Sequence, residues 1–130
     1  MDGTTFYSDV LGGAVKVIYV AGKYRDTRGE WYVMQNIRDA ERVALQIWKL
    51  GGVALCPHMN TRFFGGTLPD ETWLSGDLEL LRRCDALFLM SNAANSTGAQ
   101  EEAKLAKTLG LPVLEGIVQL RHYLLPGGSG

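Results

Sequence analysis

The sequence predicts an α/β domain built on a parallel sheet. Two observations carry this. Short apolar runs recur along the chain: "AVKVIYVAG" (14–22), "VALCP" (53–57), "DALFLM" (85–90) and "LPVLE" (111–115). Between them lie stretches whose apolar residues repeat at helical spacing. Strands alternating with helices pair in parallel and place the helices on the faces of the sheet. At 130 residues the chain suits a single domain, 1–130, with its core in 14–125. It shows no internal repeat and no interdomain linker.

In chain order, residues 14–22 are β-branched and apolar, as a strand covered on both faces is, and end at Gly22. In 30–52, Val33, Ile37, Ala40, Ala44, Ile47 and Trp48 recur on one helical face, and Gly51-Gly52 supplies the stop. Residues 53–57 form a second strand closed by Pro57. A loop rich in Gly, Pro and Asn, "HMNTRFFGGTLPDET" (58–72), follows. "WLSGDLELLRRC" (73–84) reads as a second helix, interrupted by Gly76. After the strand at 85–90, the loop "SNAANSTG" (91–98) leads to a third helix from about Ala99, stopped by Gly110. Residues 111–115 form a fourth strand, 116–125 a last short helix, and "PGGSG" (126–130) a flexible tail.

Composition excludes several classes. The chain is 46% hydrophobic and 21% charged with a net charge of -1. That gives no electrostatic footprint for a nucleic acid polymer or an anionic membrane. No apolar run reaches the length of a bilayer span, and the N-terminus lacks the basic and apolar regions of a signal peptide. Cys56 and Cys84 form no CxxC pair and sit beside apolar runs, so buried free thiols in a reduced, cytoplasmic protein are expected. The turn after the first strand carries neither GxGxxG nor GxxxxGK[ST]. HExxH and a zinc quartet are also absent, and His58 two residues after Cys56 does not make a metal site.

In parallel sheets ligands bind beyond the carboxyl ends of the strands. The segments that emerge there are "AGKYRDTRG" (21–29), "PHMNTRFFGG" (57–66) and "SNAANSTG". Projected at about 100° per residue, Ala99, Ala103, Ala106, Leu109 and Gly110 share one arc. Glu102 falls within it, while Glu101, Lys104 and Thr108 fall opposite. In the preceding helix Trp73, Leu74, Leu78, Leu81 and Cys84 share a face, with Asp77 near its middle and Glu79, Arg82 and Arg83 away from it. An inward carboxylate must be paired, hydrogen-bonded or protonated. Each acid also has a plain structural reading. Asp77 can be an N-cap that restarts the helix after Gly76, and Glu102 a first-turn acid complementing the helix dipole. The coincidence of two such acids on consecutive helices favours chemistry. Paired carboxylates suit cleavage at an anomeric carbon: one attacks C1′, and the other positions the sugar or helps protonate the leaving group. Ser96, Thr97 and Gly98 open the helix as a ready anion site, and Thr97 with Gln100 also resembles a capping box. Lys23 and Arg25 can meet a phosphate or remain solvated. Tyr19 and Tyr24 can pack on a base or sugar, although Tyr19, inside a strand, reads first as core.

"VIYVAGKYR", "CPHMNT", "GDLELLRRCDALFLM" and "STGAQEEAKLAKTLGLPVL", in this order, resemble the nucleoside 2-deoxyribosyltransferase-like superfamily. That group includes the 2′-deoxynucleoside 5′-phosphate N-hydrolases and many small bacterial and phage proteins of unassigned activity, and the chain is most similar to the last. The likeness covers most of 15–115. It implies a single flavodoxin-like (Rossmann-like) three-layer domain with a parallel sheet of four to five strands. It implies a homodimer or higher homo-oligomer, with a neighbouring subunit completing the pocket, and no cofactor. Trp31, Trp48 and Phe63-Phe64 are candidates for that interface. By the same likeness Glu102 is the nucleophile and Asp77 the acid that contacts the deoxyribose or assists the base. Ser96 and Gly98 bind the 5′ end, and Asp85 is structural. Gly22, Tyr24, Arg25, His58 and Asn60 complete the expected substrate-binding set. Two departures stand out: Lys23 replaces a proline common in relatives, and the loop 57–66 resembles only the unassigned members. The expected function is cleavage or exchange of the N-glycosidic bond of a 2′-deoxynucleoside or its 5′-monophosphate through a covalent deoxyribosyl-glutamate. Lys23 and Arg25 favour the phosphorylated form. The alternative is a non-catalytic module that binds a nucleotide or an ADP-ribose-like ligand.

Overall fold

Four short parallel strands form one sheet in the order β2-β1-β3-β4. The structure, a computed structural model, describes residues 15–60 and 66–125, apart from the side chains of Met59 and Asn60. The elements are β1 (Val17–Ala21), α1 (Glu30–Lys49), β2 (Val53–Leu55), α2 (Pro57–Asn60), α3 (Asp70–Arg82), β3 (Ala86–Leu89), a 3-10 helix (Ser91–Asn95), α4 (Thr97–Thr108), β4 (Val113–Leu114) and α5 (Gly116–Leu124). Val17 pairs with Val53, Tyr19 with Leu87, and Leu87 with Val113. The order reverses between β1 and β3, which opens a crevice at their carboxyl ends.

Successive residues of a strand point to opposite faces, and β1 uses this fully. Ile18 and Val20 pack with Ala40, Ala44 and Ile47 of α1 and Leu120 of α5. Tyr19 and Ala21 face the other way, into Leu81 of α3 and Ala99, Ala103 and Ala106 of α4. The result is a three-layer α/β/α domain whose central strand is buried from Ile18 to Ala21. Asp85 registers β3 against β1: its Oδ2 accepts from the Val17 amide at 2.8 Å, and its own amide donates to the Val17 carbonyl at 2.8 Å. That is the structural role expected at the strand start. Cys56 and Cys84 are both buried. Among the described residues no helix is long and apolar enough to cross a membrane.

Several boundaries differ from expectation. The segment 58–72 is not all loop: α2 occupies its start, and α3 begins at Asp70, with Asp70 and Glu71 supplying the first-turn acids. Gly76 does not interrupt α3, which runs unbroken to Arg82. An internal glycine costs about 1 kcal/mol of helix propensity, and the burial of Leu81 and Cys84 on the inner face offsets it. Asp77 is therefore mid-helix, and its N-cap reading is excluded. The segment 91–98 holds a 3-10 helix, and α4 starts at Thr97, two residues before Ala99. Leu109 lies beyond the end of α4 and is exposed, as are Trp48 and Leu74. The face of α1 therefore ends at Ile47 and Leu50, and Gly51 turns the chain at φ 90°. Trp31 is also exposed. Phe63, Phe64 and the tail 126–130 lie outside the described residues.

Gly22 closes β1 in tight quarters. A Cβ there would meet the Met90 sulfur at 2.5 Å and Asn92 Oδ1 at 3.1 Å. Gly22→Ala is expected to destabilise the domain by about 1–3 kcal/mol, as overpacking does. Thermal unfolding should show this as a fall of several degrees in Tm. An unchanged Tm would mean that the β1 turn and the 3-10 helix are not in close contact.

Candidate functional site

The inward side of β1 places one polar atom in an otherwise apolar layer, the Tyr19 hydroxyl. A buried phenol needs a partner, and it donates to Glu102 Oε2 on α4. Glu102 is 8% exposed, whereas Glu101 beside it is exposed. Small residues make room: Ala99, Ala103 and Ala106 line the same face of α4. The helix-face argument thus picks out the buried glutamate, and the first-turn solvated reading of Glu102 is excluded.

Burial raises the Glu102 carboxyl to a pKa of about 7. The Tyr19 hydrogen bond pulls it down, and the charge of Asp77 pushes it up again. Burial raises Asp77 on α3 to about 6. Burial, with the Glu102 carboxylate next to it, also pushes the Tyr19 phenol well above its ordinary value, so Tyr19 stays a neutral donor. Asp77 is half-buried, and its charge bears on both Tyr19 and Glu102. The two acids expected to act together are therefore electrostatically coupled, with a tyrosine between strand and helix as a third member.

A second cluster forms in the loop after β1. The Lys23 amide donates to Asn92 Oδ1 at 2.9 Å, and the Lys23 carbonyl lies 2.9 Å from His58 Nε2. A carbonyl only accepts, so Nε2 carries the proton. The His58 ring stacks on Tyr24, with centroids 5.3 Å apart and planes at 22°, and is 5% exposed. Burial lowers its pKa, so the ring is neutral. Asn36 donates to the Tyr24 carbonyl at 3.0 Å. Asp26 binds Arg28 through both carboxylate oxygens, which holds its carboxyl well below the usual range, and lies 3.5 Å from the Lys23 ammonium. Arg25 pairs with Asp70 at the head of α3 at 2.8 Å, with both side chains exposed. Lys23 and Arg25 are thus paired in this state. An exposed pair of this kind contributes only about 0–1 kcal/mol.

Ser96 is the N-cap of α4, its Oγ accepting from the Ala99 amide at 3.2 Å. Gln100 does not complete a capping box with Thr97; it donates to the Ala93 carbonyl at 3.0 Å and ties the 3-10 helix to α4. Gly98 is exposed in the first turn. Asn60 ends α2, and its side chain lies outside the described residues. Of the expected residues, the structure joins Glu102 to Asp77 electrostatically, joins Gly22, Tyr24 and His58 in one loop cluster, and ties Arg25 to Asp70. It adds Tyr19, Asn36 and Asn92. The signal for Tyr19 was available: a phenol on the inner face of an aliphatic strand requires an acceptor. Two surface depressions of about 440 Å³ border α1, one at Met34, Arg38 and Arg42 and one at Leu45, Trp48 and Leu55. Neither includes Glu102, Asp77 or Tyr19. Among the described residues no three His, Cys, Asp or Glu side chains gather as a metal site.

Solved structures of two 2-deoxyribosyltransferases share this fold. The enzyme from the psychrotolerant bacterium Bacillus psychrosaccharolyticus is 21% identical, with a TM-score of 0.56 over 84% of this chain and 82% of that one. The enzyme from Leishmania mexicana is 19% identical, with a TM-score of 0.57 over 77% of this chain and 63% of that one. No curated protein matches the sequence. The model of the family described as "Domain of unknown function (DUF7768)" matches residues 16–115, and the chain belongs to that family.

Proposed function

We propose that the protein cleaves or exchanges the N-glycosidic bond of a 2′-deoxynucleoside or its 5′-monophosphate. The observation that carries this is the buried Glu102 carboxylate, held by Tyr19 and coupled to Asp77. The shared fold with two 2-deoxyribosyltransferases supports it. In this reading Tyr19 fixes Oε2, and Oε1 attacks C1′. The C1′–N bond breaks as the ester forms, and the base leaves with the bonding pair. Asp77, whose raised pKa keeps a protonated fraction near neutrality, delivers a proton to the base or holds the sugar. Water then resolves the ester in hydrolysis, or an acceptor base does in transfer. Ser96 and Gly98 receive the 5′ end at the head of α4, and Arg25 exchanges Asp70 for a 5′-phosphate.

The buried acids also set the stability profile. A carboxyl raised from 4.5 to about 7 by folding takes up a proton between those values. The stability that this carboxyl contributes is full below about 4.5 and is lost as pH rises through about 7. Glu102→Gln keeps an acceptor for Tyr19 and removes the charge. It should lower base release by at least about 10³-fold, followed by chromatography of free base. It should also raise stability at pH 8 by on the order of 2–3 kcal/mol, read as a Tm several degrees higher. Retained activity would overturn the role of Glu102, and a Tm that does not rise would overturn its raised pKa.

The attacking carboxylate must be ionised, so kcat should show an acidic limb, and where Asp77 also gives the proton the rate should fall again as Asp77 ionises. Tyr19→Phe removes the one hydrogen bond that lowers the Glu102 pKa. The acidic limb of kcat should therefore move to higher pH in that variant, and an unmoved limb would show that Tyr19 does not touch the nucleophile in the working state.

A further inference from the structure

We propose that His58 is a positioning residue, which acts through the Lys23 carbonyl and the Tyr24 ring to hold Tyr24 as the packing face for the substrate's base. The proposal rests on the function proposed above. His58 is one of the two buried polar or charged residues among those described, the other being Glu102. It belongs to neither apolar cluster of the core. Its burial is spent on the loop after β1. The ring face covers Tyr24, and the ring edge donates to the Lys23 carbonyl at 2.9 Å. A leucine could fill the volume and a phenylalanine could stack. Only a flat ring with an N–H at its edge does both.

The backbone that His58 grips is held from three further sides. Asn92 takes the Lys23 amide, Asn36 takes the Tyr24 carbonyl, and Gly22 is wedged against Met90 and Asn92. Side chains from α1, α2 and the 3-10 helix thus converge on two consecutive residues. Such convergence fixes backbone torsions and hence the direction of the Tyr24 side chain. Tyr24 stays only half-buried. It lies at the crevice end of the strand whose Tyr19 reaches Glu102. An aromatic base is the chemistry that such a face accepts, by stacking. Binding made equally in the ground and transition states appears in KM and not in kcat.

The test measures kcat and KM for base release from 2′-deoxyadenosine and 2′-deoxycytidine and their 5′-monophosphates, with calorimetric Kd alongside. His58→Ala and Tyr24→Ala should each raise KM and Kd about tenfold while kcat stays within about threefold. His58→Phe, which keeps the stack and loses the hydrogen bond, should fall between. The double variant His58→Ala/Tyr24→Ala should be no worse than Tyr24→Ala alone, because both act through one ring. A folded His58→Ala protein with unchanged KM and lowered Tm would make His58 a structural filler and overturn the proposal. A loss confined to kcat would overturn it too. Should His58→Ala fail to fold, Tyr24→Ala and His58→Phe decide the same question. A native protein that binds these nucleosides without releasing base would sink the catalytic reading, yet Kd would still decide the role of His58. A native protein that binds none of them overturns both.

Discussion

The carboxylate of Glu102 is buried against the central strand, and the rest of the site is arranged around that constraint. A charge in this position is costly, and the fold answers in two ways. Among the described residues it supplies the Tyr19 hydroxyl as a donor, and burial lets the pKa rise to about 7. Neither answer removes the cost at pH 8. A domain selected for stability alone would place glutamine or an aliphatic residue there. The raised pKa is thus a stability sacrifice concentrated at one point, as expected where a desolvated nucleophile is needed.

The architecture explains how this donor is placed. β1 alternates between two layers, so a single strand closes the apolar core through Ile18 and Val20 and supplies the phenol through Tyr19. The alanine face of α4 lets that helix lie close enough to the sheet for the contact. Asp77 comes from the neighbouring helix of the same layer, and its charge adds to burial in pushing up both the Glu102 carboxyl and the Tyr19 phenol. The first loop is built on the opposite logic: its polar groups are paired through Asn36, Asn92, His58 and Asp26, and it is pre-set. Buried acids on one face of the sheet thus stand beside a loop whose backbone at Lys23 and Tyr24 is held by three side chains.

What was legible in the sequence was what depends on local periodicity. Apolar runs placed the four strands, and the helical projection separated Glu102 from Glu101 and drew attention to Asp77. Gly76 misled because intrinsic propensity is a weak force: packing at Leu81 and Cys84 carries α3 through it. The two short helical starts hidden in 58–72 were masked by Gly, Pro and Asn, whose presence signals a loop without excluding a turn of helix. Tyr19 was read as core, which is right for its ring and incomplete for its hydroxyl. Strand alternation says which face a residue points to, but not that Glu102, 83 positions away, waits there. The pairing of Arg25 with Asp70 and the stack of His58 on Tyr24 are likewise products of tertiary assembly, invisible to any window of sequence.

The most direct test of the account is to look for the ester itself. The native protein would be mixed with a 2′-deoxynucleoside and, separately, with its 5′-monophosphate, quenched in acid within the first turnover, digested and mapped by mass spectrometry. The account predicts a deoxyribosyl or phosphodeoxyribosyl adduct on the peptide that carries Glu102, localised to that side chain and absent from Glu102→Gln. Base release with an adduct on another residue, or turnover by the native protein that Glu102→Gln matches, would contradict it.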